Sequence, residues 1–231
     1  MTVAYDASTS SSTYTTTNPF TFDHTAAAPP QGIVVLISGP ASTLWTTSTV
    51  TYGGISLALI GQASDLSGEL GRVQLWTRNS TLGGAAFPDG MKTVEINHNA
   101  SAGVKHAVCV SLTGNSSIIH QSTLAAIQAD QANPQAAIAS STPAIRVGVC
   151  FSGHDDPSSL TAVTGVTTRQ SIDFGTSCAV YGVENAPTAS FTFGWTASSE
   201  DVAFLGAALE ETGVNFGLPS KNSFRKRRLY A

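Results

Sequence analysis

Five histidines, three cysteines and fifteen acidic residues are the side chains of this 231-residue protein best suited to moving protons, holding metals or attacking carbonyls. His24, His98, His106, His120 and His154 form neither an HExxH pair nor a CxxC…HxxxH set, the spacings that bring imidazoles and thiolates onto one zinc ion. The run Gly153-His154-Asp155-Asp156-Pro157 is the densest cluster of ligand types. Adjacent carboxylates rarely converge on one ion without regular spacing, so a solvated turn before Pro157 is expected there. With 28 serines, a Ser-His-Asp triple can be assembled on paper from almost any region and has no weight by itself. GxSxG, GxxxxGK[ST] and GxGxxG are absent. Two readings need spatial convergence: Asp65, Glu69, Glu95 and Asp173 as a glycosidase carboxylate pair, and Trp45, Trp76, Trp195, Tyr14, Tyr52 and Tyr181 as a sugar-stacking platform. In a sandwich such rings more often fill the core. The reading is of a protein without enzymatic activity, metal or cofactor.

The elements that must position these residues are strands. Charged residues make up 11% of the chain, against roughly 25% in an ordinary soluble domain. With 28 threonines beside the serines, the composition suits pleated strands rather than surface helices. Strand patterns cover Phe20 to His24, Ile33 to Ile37, Ser48 to Tyr52, Ile55 to Ile60, Arg72 to Thr77, Lys92 to Asn97 and Lys105 to Leu112. Further ones follow at Ala144 to Ser152, Val166 to Ser171, Ser177 to Val183, Thr188 to Thr196 and Asp201 to Glu210. Gly53-Gly54 marks a hairpin turn, and Gln121 to Ala132 alone has helical character. The prediction is all-β: an antiparallel two-sheet sandwich of jelly-roll type with extended terminal arms. Residues 1–19 form a Ser/Thr-rich arm or edge strand, 20–212 the sandwich, and 213–231 a basic C-terminal arm.

Cys109, Cys150 and Cys178 each sit among apolar strand residues, an odd number without CxxC spacing, and read as reduced core thiols, with one disulfide and a spare thiol as the remaining option. The longest uninterrupted apolar run, Ile33 to Ile37, is far short of the roughly 20 residues that span a bilayer. The first thirty residues lack the basic start and apolar centre of a secretory signal, so assembly in the cytoplasm is expected.

Charge is unevenly placed. The net value of −4 divides into −9 over residues 1–220 and +5 over the last eleven, where Lys221, Arg225, Lys226, Arg227 and Arg228 meet no acid. An acidic body does not suit phosphate contacts, which leaves the C-terminal segment as the one place for nucleic acid to bind. Phe216, Leu218, Phe224, Leu229 and Tyr230 supply apolar anchors along the same segment, which reads as a partner-binding arm.

The order of the motifs resembles a known module. FTFDHT (Phe20 to Thr25), GIVVLIS (Gly32 to Ser38), VTYGGISLALIGQAS (Val50 to Ser64), GRVQLWT (Gly71 to Thr77), AVCVSLTG (Ala107 to Gly114) and ASSEDVAFLGAALEE (Ala197 to Glu211) look like a β-sandwich module. That module occurs in phage virion proteins, of the decoration, cement or tail-component type, and in bacterial surface proteins. The Val-Thr-Tyr-Gly-Gly turn and the Arg-x-x-x-Trp strand are its distinctive parts. Asp201-Val202 stands where the module often has Trp, and the basic extension after Thr212 lies outside it.

The resemblance implies a structural virion protein of a bacteriophage, a capsid decoration or cement protein or an allied head or tail component. Its expected partners are the major capsid protein or other virion subunits, with homo-oligomers in the particle and no membrane. A carbohydrate-binding host-adhesion module is the alternative, and a glycoside hydrolase comes last.

Overall fold

Tyr52 and Ile55 flank the tight turn that the two glycines predict, with Gly53 at φ 54° and Gly54 at φ 81°, both in the left-handed region that a β-carbon disfavours. The turn joins β4 (Thr47–Tyr52) to β5 (Ile55–Ser64). In this computed structural model the described residues are 3–11, 17–40, 47–64, 71–78, 86–98, 105–130, 133–153, 157–175, 177–196 and 201–212. With β1 (Ala4–Ser10), β2 (Phe20–Thr25), β3 (Gly32–Gly39), β6 (Arg72–Thr77), β7 (Met91–His98) and β8 (His106–Thr113), these two strands form an eight-stranded sheet ordered β1-β8-β3-β6-β5-β4-β7-β2. The sheet curls almost into a barrel. Its end strands meet at a seam where His24 Nδ1 lies 3.0 Å from Thr9 Oγ1 and the Ala27 amide donates to Asp6 Oδ2 at 3.1 Å. A bulge between Tyr5 and Ala7 makes Asp6 the extra residue of β1 at that seam.

The second sheet is built on β10 (Gln135–Ser152). Its first half pairs with β14 (Thr188–Thr196), and its second half runs between β13 (Cys178–Glu184) and β15 (Asp201–Glu211). Outside these lie β9 (Ile118–Asp130) on β15, β12 (Val166–Asp173) on β13 and β11 (Thr161–Ala162) on β14. Every pairing is antiparallel, and the class is all-β. Among the described residues the one helical element is the 3-10 turn Pro157–Ser159.

Three apolar cores result. Phe20, Ile33, Val35, Ile37, Tyr52, Trp76 and Ile96 fill the barrel. Leaving water stabilises each such side chain by roughly 1.5–3 kcal/mol. The opposite faces of the same strands, Val34, Leu36, Val73, Leu75, Val108 and Val110, pack on Val147, Val149, Phe151, Tyr181 and Leu205 of the second sheet. Beyond that sheet, Phe193, Trp195, Phe204 and Cys150 form a third core, closed by the fold-over of β14. This layering explains why GIVVLIS carries no alternation: β3 is buried on both faces.

One expectation is corrected. Gln121 to Ala132, read as helical, is strand through Asp130, paired with β15 from Val202↔Ala129 to Ala207↔Leu124. Its Ala and Gln residues favour helix in isolation, but the open edge of β15 supplies a ladder for their backbone, and tertiary context overrides the propensity.

Candidate functional site

The residues with the strongest chemical potential are enclosed. Ser38 on β3, His106 on β8 and Tyr181 on β13 form a hydrogen-bonded set between the two sheets, with Ser38 Oγ to Tyr181 OH at 2.5 Å and His106 Nδ1 to Tyr181 OH at 2.9 Å. All three are buried. Burial pushes His106 down to about 4 and raises the Tyr181 phenol, so both stay neutral near pH 7. The three side chains form a buried polar tie between the sheets.

A second polar set closes one end of the barrel. Lys105 Nζ lies 3.3 Å from His98 Nδ1, and His98 Nε2 lies 2.7 Å from the Thr17 carbonyl. The Thr17 carbonyl can only accept, so the ring proton is placed on Nε2 and Nδ1 accepts from Lys105. Lys105 is fully buried, and desolvation lowers its ammonium to about 8.

Glu95 and Asp173, named above as candidate catalytic acids, lie on different sheets, while Asp65, Glu69 and the His154-Asp155-Asp156 run lie outside the described residues. Of the rings offered for sugar stacking, Trp76, Trp195, Tyr52 and Tyr181 are buried in the cores, and Trp45 and Tyr14 lie outside the described residues. The indoles find internal partners, Trp76 Nε1 donating to Gln74 Oε1 and Trp195 Nε1 to Thr168 Oγ1. Among the described residues no group of three or more His, Cys, Asp or Glu side chains could hold a metal ion. All three cysteines are buried, and none is in a disulfide.

The feature that sequence reasoning missed is the placement of the cations. Residues 1–220 contain six, and none is exposed: Arg72, Arg78, Lys105 and Arg146 are buried, Lys92 and Arg169 half-buried. Besides Lys105 on His98, three more have partners that show how they are held. Arg146 pairs with Glu184; the Arg78 guanidinium lies 3.9 Å from the Phe87 ring centre; Arg169 lies 3.9 Å over Tyr5, re-aimed by a bulge between Thr168 and Gln170. The sequence signal was there, since all six lie in or directly beside a strand pattern. By contrast Asp23, Asp89 and Asp173 are exposed and Asp6, Glu95 and Glu211 half-buried. The body therefore presents carboxylates without exposed compensating cations.

In sequence this body is followed by a segment of opposite charge. The arm residues Phe216, Leu218, Lys221, Phe224, Arg225, Lys226, Arg227, Arg228, Leu229 and Tyr230 all lie outside the described residues. No protein-family model, curated protein or solved structure matches the chain.

Proposed function

We propose that this chain is a structural subunit of a bacteriophage particle, a capsid decoration or cement protein or an allied head or tail component, attached to its neighbours through the basic C-terminal arm. The observation that carries the reading is the charge segregation: a body with no exposed lysine or arginine, continued by a segment whose five bases meet no acid. In one isolated chain those bases gain only weak, screened attraction. Against an acidic surface of another subunit they form charge-assisted pairs while Phe216, Leu218, Phe224, Leu229 and Tyr230 fill apolar pockets. We read the two packed sheets as an elaborated jelly-roll-like sandwich, in keeping with the motif order from Phe20 to Glu211. A low-charge, hydroxyl-rich exterior suits contact between subunits, because few ions must be desolvated on assembly. The particle would be assembled in the host cytoplasm, with the major capsid protein or another virion subunit as partner. The sugar-binding alternative loses support with its described rings in the cores. The test is deletion of residues 214 to 231: we expect unchanged thermal stability and loss of the chain from purified particles. Full occupancy of the truncated chain on particles would overturn the reading.

A further inference from the structure

Among the described residues the barrel wall is covered on one side only. The second sheet lies over β1, β3, β5, β6 and β8, while the outward face of β2, β7 and β4 carries exposed Thr21, Asp23, Thr25, Thr93 and Thr49. The paired register Asp23↔Thr93, Thr21↔Glu95 and Thr25↔Met91 sets three outward side chains in a zigzag: Glu95 and Met91 four residues apart on β7, and Asp23 on β2 midway between their levels. Diagonal neighbours across such a pair stand about 7–8 Å apart. Asp23 Oδ1 accepts from Thr93 Oγ1 at 2.8 Å and Glu95 Oε1 from Asn97 Nδ2 at 2.9 Å, so among the described residues each carboxylate has its second oxygen open. Met91 is 65% exposed, the most exposed large apolar side chain among the described residues. Lys92, the cation of β7, is half-buried on the alternate side of that strand, its stem near the Gly53 turn.

The C-terminal sequence has the complementary pattern. Arg225, Arg227 and Leu229 alternate, so an extended segment presents them on one side at steps of about 6.6–6.8 Å. Two cations and one apolar residue then face two carboxylates and one apolar residue at nearly matching intervals. We propose that the outward face of β2 and β7 is the docking surface for the C-terminal segment of a second copy of this chain, with Arg225 on Glu95, Arg227 on Asp23 and Leu229 against Met91. This rests on the reading of that segment as an assembly arm, and it names the chain itself as a partner. A surface that carries both an arm and its acceptor face links copies head to tail, closing into a ring where the rotation allows.

The full chain tests this in sedimentation equilibrium. At low ionic strength it should self-associate, and at high ionic strength it should sediment as a monomer. Asp23→Asn and Glu95→Gln keep acceptor oxygens for Thr93 and Asn97, so the sheet should fold unchanged. Each should weaken self-association roughly fivefold, as should Arg225→Gln and Arg227→Gln. Mixing an Asp23→Arg, Glu95→Arg chain with an Arg225→Glu, Arg227→Glu chain should restore association that neither shows alone. If the arm variants weaken association and the face variants do not, the arm docks elsewhere; this inference then falls while the assembly reading stands. A chain that is monomeric at low salt overturns the inference outright. Particles that still take up the arm variants overturn the assembly reading instead.

Discussion

Arg146 Nη1 donates to Glu184 Oε2 at 3.1 Å where neither side chain meets solvent. The guanidinium also donates to the carbonyls of Ile138, Ala144 and Thr188, tying the irregularity of β10 between Ala139 and Ala144 to β14. Removing one buried partner leaves an uncompensated charge, at a cost of about 3–5 kcal/mol. Arg146→Met should cost that much or more, since it also strips three carbonyls of a donor. Glu184→Gln keeps an acceptor and should cost less. Urea unfolding gives the order, and equal losses would contradict it.

Gly71 precedes β6 with no room for a side chain: a β-carbon there would run into the Phe151 ring. Gly71→Ala should destabilise by about 1–3 kcal/mol through overpacking. Phe151→Leu in the same chain should recover part of that loss, so that the double variant is more stable than the sum of the singles predicts. Strict additivity in denaturant midpoints would separate the two sites.

Mild acid should weaken the fold through two buried histidines. Burial lowers both His24 and His106 from 6.5 to about 4 in the native state. Between those values the unfolded chain binds more protons, so stability falls as pH drops from about 6.5 to 4, by up to roughly 3 kcal/mol per histidine. The charged groups near His24 are Asp6 at the seam, which opposes the shift, and Lys92, its register partner. Unfolding free energy compared at pH 7 and pH 5 checks this, and His24→Gln should remove roughly half of the difference, leaving the part that His106 contributes.

The thiols should be silent in the native state. Burial raises Cys109 and Cys150 above the ordinary thiol range, which removes the reactive thiolate. Native protein should react slowly with a thiol reagent, and denatured protein should titrate three groups without reductant. One group after denaturation would reveal a disulfide.

Much of the first sheet was legible because its signals are local. Gly53-Gly54 set a turn, and Arg72 to Thr77 matches β6 at both ends. The segment from Gln121 to Asp130 was not legible, since its strand character comes from β15, some eighty residues away in sequence. The first half of β10, from Gln135, was missed for a similar reason: small residues there pair with β14, which follows them by about fifty residues. At the candidate site the charge of the arm is plain in the sequence. The acidic exterior is not, because whether Arg78 faces water or Phe87 depends on the packed fold.

The placement of β10 bears on how the chain is made. Val34, Leu36, Val73, Leu75, Val108 and Val110 lie within the first half of the polypeptide, yet the strands that cover them run through Leu209. As the chain leaves the ribosome, the barrel can close while one wall is still a bare apolar slab. That slab stays uncovered for about a hundred further residues, roughly 5–20 seconds at ordinary rates of translation. Nascent chains are thus most prone to clumping in that interval, and a holding chaperone would act on the half-made protein, between emergence of Thr113 and emergence of Leu209.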